Sequence, residues 1–376
     1  MVLPCVFHQA TRERIVMHEP LSLAMAHHVS EMYHGDMMLW HYEHGLVIGA
    51  CLMADPGLFQ WAYDLYDPII AQDGAIATYH EHDYNLDQIN PGRNLFTLYE
   101  RTGQKRFMLA AGRLRDQLSR QPRTMSKLFW HKAIYPWQVW LDGLYMEGPF
   151  YARYCNLTGD EKGLDDVAGQ LAKVFELFRD PVTGLLYHAY DESRGMRWSD
   201  ERTGLSPHFW GRAMGWYCMA VLDVLDSLPQ DHPKRESLKD ILRSLVTAIL
   251  KVQDPESGMW FQILDQGGRE GNYLETSATS MFIYTLLKSI RTGITTEGKD
   301  EASKAFESMK VRYLDEGLHL GGICAVAGLG GNPYRDGSFA YYVGERVAVD
   351  DFKGVGPFIL ACLEMEKAFP QCPKTT

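Results

Sequence analysis

The sequence predicts an all-α protein shaped as an (α/α)6 barrel, a ring of six inner helices backed by outer ones, with short β-hairpins at one mouth. Two observations carry this. Apolar residues recur at helical spacing along most of the chain. Six times, polar residues and glycine stand at the start of an apolar helix.

The periodicity is plain after Pro207. Trp210, Met214, Tyr217, Val221, Val224, Leu225 and Leu228 fall on one helical face, and Pro229 helps to stop the helix because it lacks a backbone donor. The stretches around 96–119, 163–179, 236–252, 279–291 and 301–312 read the same way. Strand-like alternation is confined to hairpins expected near 183–190, 258–264 and 339–349.

The six polar starts are Glu43 (WHYEHG), Asp87 (NLDQINPG), Asp142 (VWLDGLYMEG), Arg212 (FWGRAMGWY), Glu275 (YLETSATS) and Asp351 (VDDFKGVG). Their spacings of 44, 55, 70, 63 and 76 residues leave room for a second helix each time. They are too uneven for a solenoid, whose repeats stay nearly constant. In a barrel the six starts gather at one mouth, where convergent polar groups make a binding site. Taken singly, each is better explained as a helix cap or first-turn charge. One domain over 1–376 follows, with residues 1–20 as an extension of unassigned packing.

Composition narrows the partners. The net charge is −11, with no basic run, which argues against nucleic acid. No apolar run approaches a membrane span. Seven widely spaced cysteines without a CxxC suggest free thiols in a reducing compartment, and the N-terminus lacks a signal-like apolar region, so a cytoplasmic monomer or homodimer is expected.

Asp142 is the leading candidate for chemistry. It lies among Trp137, Trp140 and Tyr145, with Gly143 and Gly148 leaving room for close approach and Pro149 expected to kink the helix. Desolvation by aromatics raises a carboxyl pKa and suits a general acid, whereas a helix N-terminus lowers it. Asp87 is a second carboxylate, and two in one cleft tend to divide into acid and base; Asp87 could equally cap a helix that Pro91 starts. Arg212 and Trp216 share a helical face, offering a carboxylate-matching fork and a flat wall, with His208 and Trp210 preceding them. His188 and His131 stand ready to hydrogen-bond a sugar or an acid, though structural roles fit them as well. His80 with His82, and His27 with His28, do not have metal-site spacing, so neither metal nor cofactor is expected. The glycine-rich AGLGGNPYRDGS reads as a tight loop at the cleft rim, and Cys155 and Cys218 read as core.

The segments YPWQVWLDGLYMEGPF, SPHFWGRAMGWY, NYLETSATSMFIYTLL, AGLGGNPYRDGSFAYY and DDFKGVGPFILA together resemble the unsaturated rhamnogalacturonyl hydrolases, glycoside hydrolase family 105, over about residues 30–365. The related unsaturated glucuronyl hydrolases, family 88, match them less well. The resemblance implies an (α/α)6 barrel and an oligosaccharide substrate ending in an unsaturated uronic acid. Water is added across its C4=C5 bond, and the resulting hemiketal opens to release the neighbouring sugar. By motif, Asp142 takes the role of general acid and base, and Asp87 assists. His188, Arg212 and Trp216 line the uronate subsite, and His131 lies nearby. Tyr42 and His44 fall in WHYEHG, which rims the cleft. His44, where Asn is more usual, and Gly344, where Ser is more usual, depart from the family pattern and bear on the released sugar. Competing readings are a family 88-like enzyme on glucuronides, a sugar 2-epimerase using His131 and His188, and a non-enzymatic helical scaffold.

Overall fold

In the computed structural model, which describes residues 19–370, the apolar periodicity becomes an alternation of outer and inner helices. Outer α1 (Leu21–Met32) leads to inner α2 (Tyr42–Ala54), outer α3 (Phe59–Tyr66) to inner α4 (Arg93–Thr102), and outer α5 (Lys105–Arg120) to inner α6 (Leu141–Thr158). Then come outer α7 (Glu161–Phe178) and inner α8 (Gly211–Ser227), outer α9 (Arg235–Lys251) and inner α10 (Thr276–Arg291), and outer α11 (Lys299–Tyr313). A short α12 (Phe339–Gly344) precedes the last inner helix, α13 (Phe352–Ala368). The extension read over residues 1–20 lies outside the described residues, save its last two.

Each inner helix packs on the next: α2 on α4, the Asn90–Gly92 turn before α4 on α6, α6 on α8, α8 on α10, and α10 on α13. The ring closes where α13 packs on α2. Inner helices are buried nearly all round, as α8 and α10 show, whereas outer α9 buries one stripe and leaves its charged residues outward. The six-pair expectation therefore holds.

Three details differ from the sequence reading. The stretch 96–119 is two helices, because Gly103 takes a left-handed φ of 68° and ends α4. The strands pair across distant segments rather than in local hairpins. β1 (Gln138–Trp140) runs antiparallel to β2 (Ala189–Asp191), and β3 (Ile323–Cys324) to β4 (Val347–Ala348). Near 258–264, Phe261 bridges to Leu274 and Ile263 to Trp210. Within 339–349 the chain first turns into α12, because the Ser338 hydroxyl accepts from Tyr341 N at 3.1 Å and caps it. All four strands lie in connections from an outer to an inner helix, at the mouth where the inner helices begin.

Pro149 does not end α6. Its missing N–H frees the carbonyl of Tyr145, one turn back, and Asn90 Nδ2 donates to that oxygen at 3.3 Å. Gly45 is required by a close approach: a Cβ there would lie 2.4 Å from the Cα of Pro91. Gly45→Ala must push α2 away from the Pro91 turn, and overpacking of this kind costs about 2 kcal/mol. Thermal or denaturant unfolding of this variant checks that figure; unchanged stability would mean the helices separate freely there.

Candidate active site

The mouth is built around Asp142. It stands in the first turn of α6, which no side chain caps. The β1–β2 ladder, together with the bond from Leu141 N to the His188 carbonyl at 3.1 Å, carries His188 to the start of the helix. His188 Nε2 then lies 3.2 Å from Asp142 Oδ2, off the line of an ideal hydrogen bond. The other ring nitrogen, Nδ1, shares a 2.7 Å hydrogen bond with the Tyr342 hydroxyl from α12. His188 is wholly buried, and its ring packs on Trp210 at 4.6 Å, so its plane is fixed. Asp142 remains 15% exposed in its side chain, so it is partly open to solvent.

Asp87 occupies a different environment. It lies in a helical turn, Leu86–Gln88, rather than at the start of α4, so it does not cap that helix. Lys132 Nζ donates to its Oδ2 at 2.5 Å, His131 Nε2 lies 3.7 Å from Oδ1, and His41 Nε2 is 3.8 Å from Oδ2. Burial pushes the Asp87 carboxyl up, but Lys132, His131 and His41 outweigh it and hold the pKa at about 2. Burial lowers the His131 pKa to about 4 despite the pull of Asp87, so its ring is neutral at neutral pH. That ring stacks on Trp140 at 4.7 Å.

Tyr42 feels the charge of both carboxylates. Burial and then the charges of Glu43, Asp87 and Asp142 push its hydroxyl well above the usual range, with Arg212 opposing them. Arg212 is 2% exposed; it donates through Nη1 to the Cys324 carbonyl and, at 3.4 Å, to Ser277 Oγ, and lies over the Trp210 ring. It is a buried cation, with Nη1 taken up by these two acceptors. Trp216 is also buried, stacked on Tyr145 at 4.9 Å and edge-on to Tyr42, so it forms the floor beneath Tyr42 rather than an exposed wall. Trp210 Nε1 donates to Gln262 Oε1 at 3.0 Å. Trp137 is different: it is 37% exposed and adopts φ 66°, an uncommon conformation for a bulky residue. His44 is bonded to the Tyr33 hydroxyl and packs on Phe352, half-buried behind the rim. Gly344 is exposed at the end of α12.

Of the six polar starts, two are helix caps. Glu275 accepts from Ala278 N at 2.6 Å, Ser277 Oγ at 2.8 Å and Cys324 N at 2.9 Å, and Asp351 accepts from Lys353 N at 3.0 Å. Glu43 is tied to Lys353 Nζ at 3.0 Å, which also meets Asp351 at 2.9 Å. The glycine-rich loop folds over the rim: Arg335 Nη2 donates to Tyr135 Oη at 3.1 Å, and Tyr135 stacks on Trp140. Lys132, Tyr342 and His41 were not singled out from the sequence. Each adjoins a residue that was, or sits in a quoted motif, but nothing in local spacing signals a bond across 45 or 154 residues. Among the described residues no three His, Cys, Asp or Glu side chains converge as a metal site.

Asp87 favours the folded state at neutral pH, since its folded pKa lies below the unfolded value; that contribution fades as pH falls from about 4 to about 2. Lys132→Met leaves burial to act unopposed by its main counter-charge. Stability at pH 7 should fall by about 3 kcal/mol, and acid unfolding should begin at higher pH. An unchanged acid limb in pH-dependent unfolding would show that Lys132 does not hold the carboxylate ionised.

Comparison with known proteins agrees with this fold. Residues 19–369 match the model of Glycosyl Hydrolase Family 88. A solved glycoside hydrolase from family 105 of C. acetobutylicum superposes with a TM-score of 0.88 at 44% identity, covering 93% of this chain and 100% of that one. The 24.9 kDa protein in the picA locus of Rhizobium radiobacter is 40% identical over 57% of this chain and 96% of its own length. The unsaturated rhamnogalacturonyl hydrolase YesR of Bacillus subtilis is 29% identical over 54% of this chain and 58% of its own length. With a six-pair barrel and acidic mouth of this kind, the chain belongs to the glycoside hydrolases of the family 88 model, with a family 105 member among its relatives.

Proposed function

We propose that this glycoside hydrolase acts on oligosaccharides ending in an unsaturated galacturonic acid, adding water across C4=C5 and releasing the adjacent sugar, rhamnose in a rhamnogalacturonan fragment. The observation that carries this is the partly open Asp142 carboxyl beside the fixed His188 imidazole, in a mouth that also holds the buried Arg212 cation. The name of YesR supports the rhamnogalacturonyl substrate.

The reaction follows from these roles. Asp142, as the acid, delivers its proton to C4, and the ring oxygen shares the positive charge that develops at C5. The Asp142 carboxylate then takes a proton from the water that attacks C5, which restores the acid. Asp87, held ionised by Lys132, adds negative potential that favours the oxocarbenium-like centre. The C5 hemiketal opens to a ketone, and the C1 hemiacetal so exposed sheds the aglycone. Arg212 supplies a positive potential for the uronate carboxylate, and Trp137 an aromatic face at the rim. A 2-epimerase is less well supported: His131 turns to Asp87, and His188 Nδ1 is engaged with Tyr342. The five described cysteines are buried and free, and no described helix is long and apolar enough to cross a membrane; both suit a cytoplasmic enzyme, as a monomer or a homodimer.

The test is ultraviolet absorbance of the C4=C5 bond in the unsaturated galacturonyl-rhamnose disaccharide. Absorbance should disappear with wild-type protein, and Asp142→Asn should lower turnover by about 10³-fold or more. Loss with unsaturated glucuronides alone would shift the substrate to the family 88 type, and near wild-type turnover of the variant would remove Asp142 as the acid. Trp137→Ala should raise KM several-fold with kcat little changed, since a rim stacking contact serves ground and transition states alike; an equal fall in kcat would place Trp137 in the chemistry.

A further inference from the structure

Beside His131 lies a small cavity of about 10 Å³. Leu86, Phe129, Val139, Trp140, Leu144 and Val174 give it apolar walls. Three polar side chains also line it: His131, Glu147 and Gln170, which are 3%, 1% and 4% exposed. In each, buried polar atoms find no partner within the protein: His131 Nδ1, both Glu147 carboxyl oxygens and Gln170 Nε2. Gln170 Oε1 is occupied, accepting from Phe129 N at 3.0 Å, so the side chain is held with its amide nitrogen free. Gly143 and Glu147 are one turn apart on α6 and share a face, and a Cβ on Gly143 would sit 3.0 Å from His131 Nδ1. The glycine thus lets the imidazole settle on the helix directly above the carboxyl.

Buried polar groups are almost always hydrogen-bonded, and stranding several in one place is costly. A cavity of this volume takes one water, and a water is stable where two to four polar atoms surround it. We propose that Glu147 and Gln170 bind a single ordered water here, and that this water holds the His131 imidazole through Nδ1, with its Nε2–H directed at Asp87. Three of the water's four hydrogen-bonding positions find partners. The water accepts from Gln170 Nε2–H and from the Glu147 hydroxyl, and donates one hydrogen to His131 Nδ1. Burial, reinforced by Asp166 and opposed by Arg123, pushes the Glu147 carboxyl well above the usual range, so it carries the hydrogen this requires. Glu147 is then a positioning residue: it fixes the tautomer of the ring that faces Asp87 and never meets the sugar. This rests on the functional reading only for its effect on turnover.

Ring-nitrogen NMR of histidine-labelled protein reads the tautomer, and a high-resolution crystal structure reads the water. The wild type should show His131 solely as the Nε2–H form, with a water within about 3 Å of Nδ1, Glu147 and Gln170. Glu147→Leu should expel the water, mix the tautomers and lower kcat about tenfold with little change in KM, and Glu147→Gln should recover most of the loss. A wild-type Nδ1–H ring, a dry cavity, or an E147L protein with unchanged tautomer and kcat would each overturn the proposal. Should E147L fail to fold, the wild-type spectrum and density still decide. If every unsaturated uronide proves inert while the water and the Nε2–H ring are present, the substrate reading falls and the water site stands.

Discussion

The closing contact of α13 on α2 is the constraint on which the molecule turns. Once six inner helices form a ring by alternating with outer ones, their N-termini all lie at one mouth. Each N-terminus brings unpaired backbone donors and the positive end of a helix dipole. Glu275 and Asp351 accept from such donors, and Glu43 and Asp142 place a carboxylate in the first turn of α2 and α6. Lys353, bonded to both Glu43 and Asp351, pins the first and last inner helices together at that rim. The chain as a whole carries a net charge of −11, so the helix termini are a local positive contribution to the field at this mouth.

Within that field the two central carboxylates are treated oppositely. Asp87 is buried and surrounded by Lys132, His131 and His41, and its charge is fixed. Asp142 has no cation at hydrogen-bonding distance among the described lysines and arginines; its near neighbour is an imidazole whose other nitrogen is tied to Tyr342. Behind the site, half-buried Arg93 and buried Asp223 and Lys288 form a second network, with Arg93 Nη1 donating to Tyr145 Oη at 2.7 Å and Tyr145 stacked on Trp216. The aromatic floor thus rests on a paired ionic layer that cannot easily shift.

The barrel was legible because its signal is local: a 3.6-residue period and a polar start recur six times. Boundaries set by one backbone conformation, such as the left-handed Gly103, were not. The candidate residues were legible as types in motifs, but their environments came from long-range pairing. Arg212 reads as an open fork in sequence, yet the Cys324 carbonyl and Ser277 claim part of it. Trp216 reads as a wall, yet Tyr145 covers its face. Glu275 and Asp351 behave as the caps that any helix start suggests. The α12 turn that delivers Tyr342 reads as a strand in sequence because its aromatic run suits both, and only the Ser338 cap decides.

A crystal structure of the Asp142→Asn protein with the intact unsaturated galacturonyl-rhamnose disaccharide tests the central assignment most directly. The predicted complex places C4 of the unsaturated ring within about 3.5 Å of the Asn side chain, with the uronate carboxylate on the Arg212 side and rhamnose toward the Trp137 rim. A sugar bound with C4 turned away from position 142, or held only outside this mouth, would contradict it.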